Sequence, residues 1–335
     1  MEQHSTNPLI FGPASAADLP SALQLLFGSV EETGRKTQIA MALLEIQNSD
    51  NDGEKVLIGR RGDDLAAVIW LQIRPGRVAS MWPPGVATGE PDSTVKTLID
   101  LAIATAAAKG MRLVQTLLET DAGPQAACLR QCAFQHIADL LYLVSLFEEF
   151  PTASPSTDLV FEPIGTGGEI EISETRLRRL IGIIERTYID TLDCPSVHGL
   201  RSVNDVLATY RAVGKYNPAK WFFVRHCDAD IGCLLLADHP PEHNCELIYM
   251  GVVPEARGNA RGVEMVRYAQ WLVEHSDNDD KNGLENCGET AELPAKKLVL
   301  AVDAANSPAI SVYAAAGFQT WDRRSVFLRE IAENF

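Results

Sequence analysis

Hydrophobic residues recur along this chain at two spacings, every second residue in short runs and every third or fourth in longer ones, and the switches between them mark out the predicted elements. In the first half a strand near Pro8–Gly12 precedes helical periods at Ala17–Phe27 and Glu31–Gln47. After a polar loop, Asn48–Gly53, strand patterns follow at Lys55–Gly59, Leu65–Ile73 and Arg77–Trp82. A helix near Asp92–Lys109, stopped by Lys109-Gly110, leads to a strand at Leu113–Leu118, a short helix at Pro124–Cys132 and β-structure from Phe134 to Leu146. The stretch Pro151–Thr157 (PTASPST) is polar and proline-bearing and reads as a linker.

The second half repeats that order. It runs from a strand at Asp158–Pro163 through a helix at Ser173–Tyr188, a loop at Ile189–Arg201 and a helix at Val203–Val213. Strands at Trp221–Arg225, Ile231–Ala237 and Glu246–Val253 precede a helix at Gly262–Glu274, a strand at Leu298–Val302, a helix at Pro308–Ala315 and a last strand near Ser325–Arg329. Ser173 or Thr175, beside Glu171 and Glu174, gives the first of these helices the look of a capped start. Two halves of one order imply duplication of a domain-sized unit. Domains are therefore expected at 1–150 and 158–335, joined by the linker 151–157, which suits a length of 335 residues.

Charge and composition narrow the functional classes. The formal net charge is −16, which disfavours general binding to nucleic acid or anionic membranes and suits a neutral or basic substrate. No apolar run approaches the ~20 residues needed to span a bilayer, and no export signal opens the chain, so a cytoplasmic protein is expected. Seven cysteines lack metal-binding spacing and read as reduced thiols, so no metal is expected. The acidic stretch Ser276–Ala295 contains Asn278, Asp280, Asn282, Gly283 and Glu289 at calcium-loop spacing. Asn in the first ligand position and Glu285 at a position that normally packs inward argue against calcium, and the composition favours a disordered loop.

Three pieces of the second half carry chemistry. The strand Glu246–Val253 runs into Pro254, and Arg257-Gly-Asn-Ala-Arg-Gly262 opens the next helix. A strand-to-helix junction of small residues leaves main-chain N–H groups exposed at a positive helix end, a site for phosphate, and Arg257, Arg261 and Arg267 add local positive charge. One strand later, Asn306-Ser-Pro leads to Tyr313 and then Gly317-Phe318. Ser307 and Pro308 are expected as N-cap and first helical residue, and Gly317 suits a left-handed helix stop.

Together these pieces resemble the GNAT superfamily of acyl-CoA-dependent N-acetyltransferases. The family's phosphate-binding pattern is Arg/Gln-x-x-Gly-x-Gly/Ala, matched at Arg257–Gly262 except that Ala260 replaces the first glycine. Its later segment, Asn followed seven residues on by Tyr and then Gly-Phe, is matched by Asn306, Tyr313, Gly317 and Phe318. The resemblance implies an α+β fold of two tandem GNAT-like domains, each a mixed, mostly antiparallel central sheet flanked by helices. It implies acetyl-CoA as co-substrate, held along Gly251, Val252 and Val253, at the amides of Gly258, Asn259, Ala260, Arg261 and Gly262 beside Arg257, and by Asn306. It implies Tyr313 as general acid toward the departing thiolate.

An amine acceptor is mostly ammonium near neutral pH and must lose a proton before it attacks. Glu246 matches the position of a glutamate base in some members, and strand alternation would place it on one face with Ile248 and Met250. The loop after the first helix of the half, Asp190–Arg201, lies where the family lines its acceptor site, so Asp190, Asp193 and His198, with Tyr249, are expected to meet a small-molecule amine.

In the first half, motif overlay places Leu129 at Tyr313, Ala122 at Asn306, Ala87 at Arg257, Glu90 at Ala260 and Asp92 at Gly262. Carboxylates where a pyrophosphate would lie repel it, so this half is expected to be a degenerate, non-catalytic copy. The plan is similar to the tandem arrangement of mycothiol synthases. Two other readings share the fold: a non-catalytic acyl-CoA sensor, and an aminoacyl or peptide N-terminal transferase. Intact Glu246 and Tyr313 favour the enzyme over the sensor, and the acidic charge disfavours aminoacyl-tRNA.

Overall fold

The computed structural model describes residues 8–48, 53–120, 122–165, 171–197, 199–275 and 297–332. Two compact units emerge, Met1–Ile137 with Ser325–Phe335, and Ala138–Arg324.

In the first unit β1 (Leu9–Pro13), β2 (Glu54–Arg61), β3 (Asp64–Arg74) and β4 (Val78–Met81) pair antiparallel in that order, and β5 (Gly85–Val86) adds two pairs to β3. The sheet turns parallel between β4 and β6 (Leu113–Glu119). Helices α1 (Leu19–Leu26), α2 (Glu32–Asn48), α3 (Asp92–Ala108) and α4 (Gly123–Gln131) complete the unit. β3 reads as an unbroken apolar run because both its faces are covered: Ala67, Ile69 and Leu71 pack with Leu98, Ile99 and Ala102 of α3, while Val68 and Trp70 pack with Ala22 and Leu23 of α1.

The second unit repeats the design. β8 (Val160–Pro163), β9 (Trp221–His226), β10 (Ala229–His239) and β11 (Asn244–Val252) are antiparallel neighbours, and β11 is parallel to β12 (Lys297–Asp303). α5 (Glu174–Thr187) and α6 (Val203–Arg211) cover one face, with Cys233 and Leu235 of β10 beneath them. α7 (Arg261–His275) and α8 (Ser307–Ala315) cover the other, over Leu234 and Leu236. Residue by residue, β10 has the same sequence of exposed and buried positions as β3, as duplication requires.

The expected domain boundary is displaced. β7 (Gln135–Leu146) pairs antiparallel with β12 through Leu140–Leu146, so residues from Ala138 onward group with the second unit, and Pro151–Thr157 lies inside that unit. In return, Ser325 onward groups with the first unit, where Phe327 joins the core of α3 and the Ile331 amide donates to Arg112 O at 2.8 Å. Composition marks a linker locally, whereas a strand's partner is set by distant hydrogen bonds. The last strand, β13 (Gln319–Glu330), is also longer than its expected span.

Two local expectations change as well. Ser173 precedes α5 without a side-chain cap, and a capping box forms instead at α6 between Ser202 and Asp205. Asn306, not Ser307, caps α8. The calcium-like stretch Asn278–Glu289 lies outside the described residues. Among the described residues no group of three His, Cys, Asp or Glu could hold a metal ion, and no helix is long and apolar enough to cross a membrane.

Candidate active site

The site begins where two parallel strands part. Only Asn244, Cys245 and Glu246 of β11 pair with Lys297, Leu298 and Val299 of β12. Just beyond, β11 carries an extra residue: Leu235 lies opposite Tyr249 and Leu236 opposite Leu247, leaving Ile248 unmatched. The bulge reverses the alternation. Cys245 and Leu247, then Met250 and Val252, pack toward α7 and α8, while Ile248 and Tyr249 both turn toward α5 and α6. Glu246 therefore shares its face with Ile248 but not with Met250, contrary to simple alternation.

A cavity of about 440 Å³ opens at the separation. Its walls are Leu247–Val252 of β11, Ala301 and Val302 of β12, the turn that enters α7, Asn306 and Tyr313, and Asp190–Asp193. Gly251 is required here. A Cβ would lie 2.7 Å from the Thr187 Cβ and 2.8 Å from Tyr249 Oη, which themselves share a 2.6 Å hydrogen bond between Thr187 Oγ1 and the phenol.

The turn 257–262 is built around two left-handed residues, Gly258 (φ +82°) and Ala260 (φ +58°). The hydrogen bonds of α7 start when Val263 N and Glu264 N donate to Ala260 O, so the preceding amides have no acceptor inside the helix. Gly258, Ala260, Arg261 and Gly262 line the cavity. Gly262 also lets α7 approach α8, since a Cβ would lie 3.1 Å from Val312 Cγ2. Asn259 folds its side-chain amide back on Arg257 O at 3.3 Å, shaping the turn.

The arginines have partners within the chain, and Arg257 and Arg261 also line the cavity. Arg257 donates to Val252 O (3.0 Å), Asp190 O (3.2 Å), Thr187 O (2.9 Å) and Ile189 O (2.9 Å), so its guanidinium ties the end of α5 to the turn. Arg261 is paired with Asp158 and, at 3.3 Å, Glu264. Arg267 donates to Glu149 O, Ala315 O and Gln270 Oε1. An anion here would meet main-chain amides and a helix dipole rather than three unengaged cations.

Tyr313 is 6% exposed and lines the cavity. Burial, with the Asp193 carboxylate a lesser contributor, lifts its phenol well above the usual range, so it remains a proton carrier at working pH. Asn306 caps α8 by accepting from Ala309 N at 3.3 Å and lines the cavity. Val253 is fully buried behind the strand.

Asp190 and Asp193 both reach the cavity wall. Asp193 also accepts from Asp303 N at 3.2 Å, while the buried Asp303 carboxylate accepts from Cys194 N (3.1 Å) and Ala305 N (2.8 Å). This reciprocal latch fastens the loop to the end of β12, and sequence spacing gave no sign of it. Burial and the neighbouring aspartates push the Cys194 thiol up to about 12, unlike a nucleophile. Tyr249 packs between Tyr188 and Tyr210. His198 lies outside the described residues.

Glu246 is not brought to the cavity wall. Its Oε2 lies 2.8 Å from His239 Nε2, and its side chain is 32% exposed. His239, opposite Asn244 in the hairpin, is a partner that only the β10–β11 register could have revealed.

No family model and no curated protein matches the sequence. Solved structures do match over nearly the whole chain. A GCN5-related N-acetyltransferase from Sphaerobacter thermophilus superposes with a TM-score of 0.61 at 14% identity, covering 98% of each chain. A GCN5-related glucosamine N-acetyltransferase region of a fungal multi-domain protein gives 0.60 at 13% identity, covering 96% of this chain and 38% of that one. A tandem GNAT protein from the clavulanic acid biosynthesis pathway gives 0.50 at 14% identity, covering 98% of this chain and 100% of that one. The chain has the tandem GNAT fold.

The two GNAT-like units differ at the same place. In the first unit Leu129, 2% exposed, stands where motif overlay puts Tyr313. Glu90, just before α3, accepts from Arg61 Nε at 2.7 Å and from Thr94 Oγ1 at 2.8 Å. A carboxylate with internal partners thus sits at the helix entrance where a GNAT phosphate turn would be.

Proposed function

We propose that the second unit transfers an acyl group, acetyl from acetyl-CoA, directly to an amine of a small molecule. The observation that carries this reading is one cavity walled both by the amides entering α7 and by the buried phenol of Tyr313. The pyrophosphate would lie at the α7 turn, and the pantetheine arm along the edge of β11 that leaves β12 after Glu246. That edge offers main-chain groups to an extended amide chain as a further strand would.

In the transfer, the amine nitrogen attacks the thioester carbonyl and the C–S bond breaks. The thiolate takes the Tyr313 proton, and the second proton, shed by the acylated nitrogen, restores the phenol, which burial holds in its neutral form. The ammonium proton must leave first, through water, toward Glu246 and its partner His239. Asn306, Gly258 and the residues from Gly251 to Val253 hold the co-substrate; Arg257 and Asn259 shape the turn that does so. Asp190, Asp193 and Tyr249 face the acceptor end. The first unit takes no coenzyme A in this scheme, because Glu90 and Leu129 occupy the equivalent positions.

Calorimetric titration with acetyl-CoA, paired with a thiol-release screen over amines, amino sugars, polyamines and peptide N-termini, tests the scheme. One binding site per chain and release of thiol with an amine are expected. Failure to bind acetyl-CoA, or two equivalent sites, would overturn it.

A further inference from the structure

We infer that the open face of the second unit's sheet, floored by Val299 and Ala301 between the Tyr142–Trp321 pair and the Glu246–His239 pair, is a binding site for a cationic alkylamine. The inference rests on the function proposed above and gives its acceptor a chemical class.

Register places these groups together. Val299 lies beside Glu246 on β11, and Ala301 beside Tyr142 on β7. Leu298, Leu300 and Val302 turn to the α7–α8 core, so Val299, Ala301, Glu246 and Tyr142 share the opposite face. β11 and β7 flank β12 at about 10 Å from one another, two strand spacings. The small Ala301 between them is exposed, leaving a trough with taller walls on either side. Ala301 also lines the cavity assigned to the thioester, so trough and cavity meet at that residue.

The walls suit a cation with an apolar stem. Trp321 is 62% exposed, and its ring centroid lies 5.9 Å from that of Tyr142 in an edge-on arrangement. An exposed indole beside a half-buried phenol offers ring faces to an ammonium and a surface to its methylenes. On the other wall one Glu246 oxygen holds His239, leaving the second to accept from an N–H. Near Tyr142 the charges are Glu246, Asp322 and Arg324; Arg324 Nε donates to Asp322 at 2.8 Å, so the balance is acidic. Arg323, likewise, is matched by Asp139 at 2.8 Å.

The probe is 1,4-diaminobutane, with 1,4-butanediol as its neutral counterpart, each titrated into the full-length protein and followed by ligand-detected NMR. Saturable binding of the diamine and none of the diol are expected. Trp321→Ala and Tyr142→Ala should each weaken the diamine about tenfold, with Trp321→Phe close to wild type. Trp321 is exposed, so its replacement leaves the fold intact, which circular dichroism verifies. Equal binding of the diol, or diamine affinity unchanged in both alanine variants, would refute the site. Acetyl-CoA titrations run in parallel separate the two readings. Loss of acetyl-CoA binding in the wild type would sink the proposed function, whereas unchanged diamine binding in the variants would sink only this assignment.

Discussion

Arg257 separates two accounts of the phosphate turn. The family pattern makes it a phosphate ligand, whereas the structure spends its guanidinium on four main-chain carbonyls of α5, the turn after it and β11. Hydrogen bonds to a charged group contribute about 1.5–3 kcal/mol each when buried. This side chain is exposed, so screening reduces each to about 0.5 kcal/mol, or about 2 kcal/mol for the four. Arg257→Ala should therefore destabilise the protein without any ligand. In a unit the size of Ala138–Arg324, about 2–4 °C per kcal/mol turns this into a Tm lower by roughly 4–8 °C. Arg257→Lys keeps the charge but not the fork and should recover less than half of the loss. Differential scanning calorimetry of the ligand-free variants measures the shift, and acetyl-CoA titration measures affinity alongside it. An unchanged Tm in ligand-free Arg257→Ala, with affinity reduced tenfold or more, would mean that the side chain binds the phosphate after all.

Other outcomes follow from the same geometry. Tyr313→Phe should lower kcat by about 10²–10³, with acetyl-CoA affinity within twofold, in a thiol-release assay; equal turnover removes the general acid. Ala260→Gly relieves a left-handed residue and should raise stability by up to about 1 kcal/mol in urea unfolding, whereas a loss of stability would contradict the strain. Asp303→Asn keeps one acceptor oxygen and puts an N–H donor beside either the Cys194 or the Ala305 amide, so it should cost about 2–3 kcal/mol and speed hydrogen exchange at one of the two; protection equal to wild type at both would discount the latch. Burial raises the phenols of Tyr188, Tyr210, Tyr249 and Tyr313, so unfolding, which restores ionisation near 10, is favoured by alkali. Their contribution is fully present below pH ~10 and is lost as pH rises above it. Tyr210→Phe should flatten that decline in denaturation midpoints measured from pH 8 to 11, and an identical slope would refute the cause.

What the sequence determined by itself is whatever short-range order can encode. The repeated order of strands and helices exposed the duplication, and Gly258, Gly262, Tyr313 and Gly317 announced their turn, helix stop and phenol because each conformation is set within a few residues. The tertiary structure decided what depends on partners far along the chain. The exchange of Ala138–Leu146 for the last strand's end is fixed by hydrogen bonds between strands more than 150 residues apart, which no local pattern carries. The bulge at Ile248 turned Glu246 away from Met250, because one inserted residue reverses every later side chain in the strand. Arg257 became a brace and His239 a partner of Glu246 for the same reason: long polar side chains bond to whatever folding brings within reach.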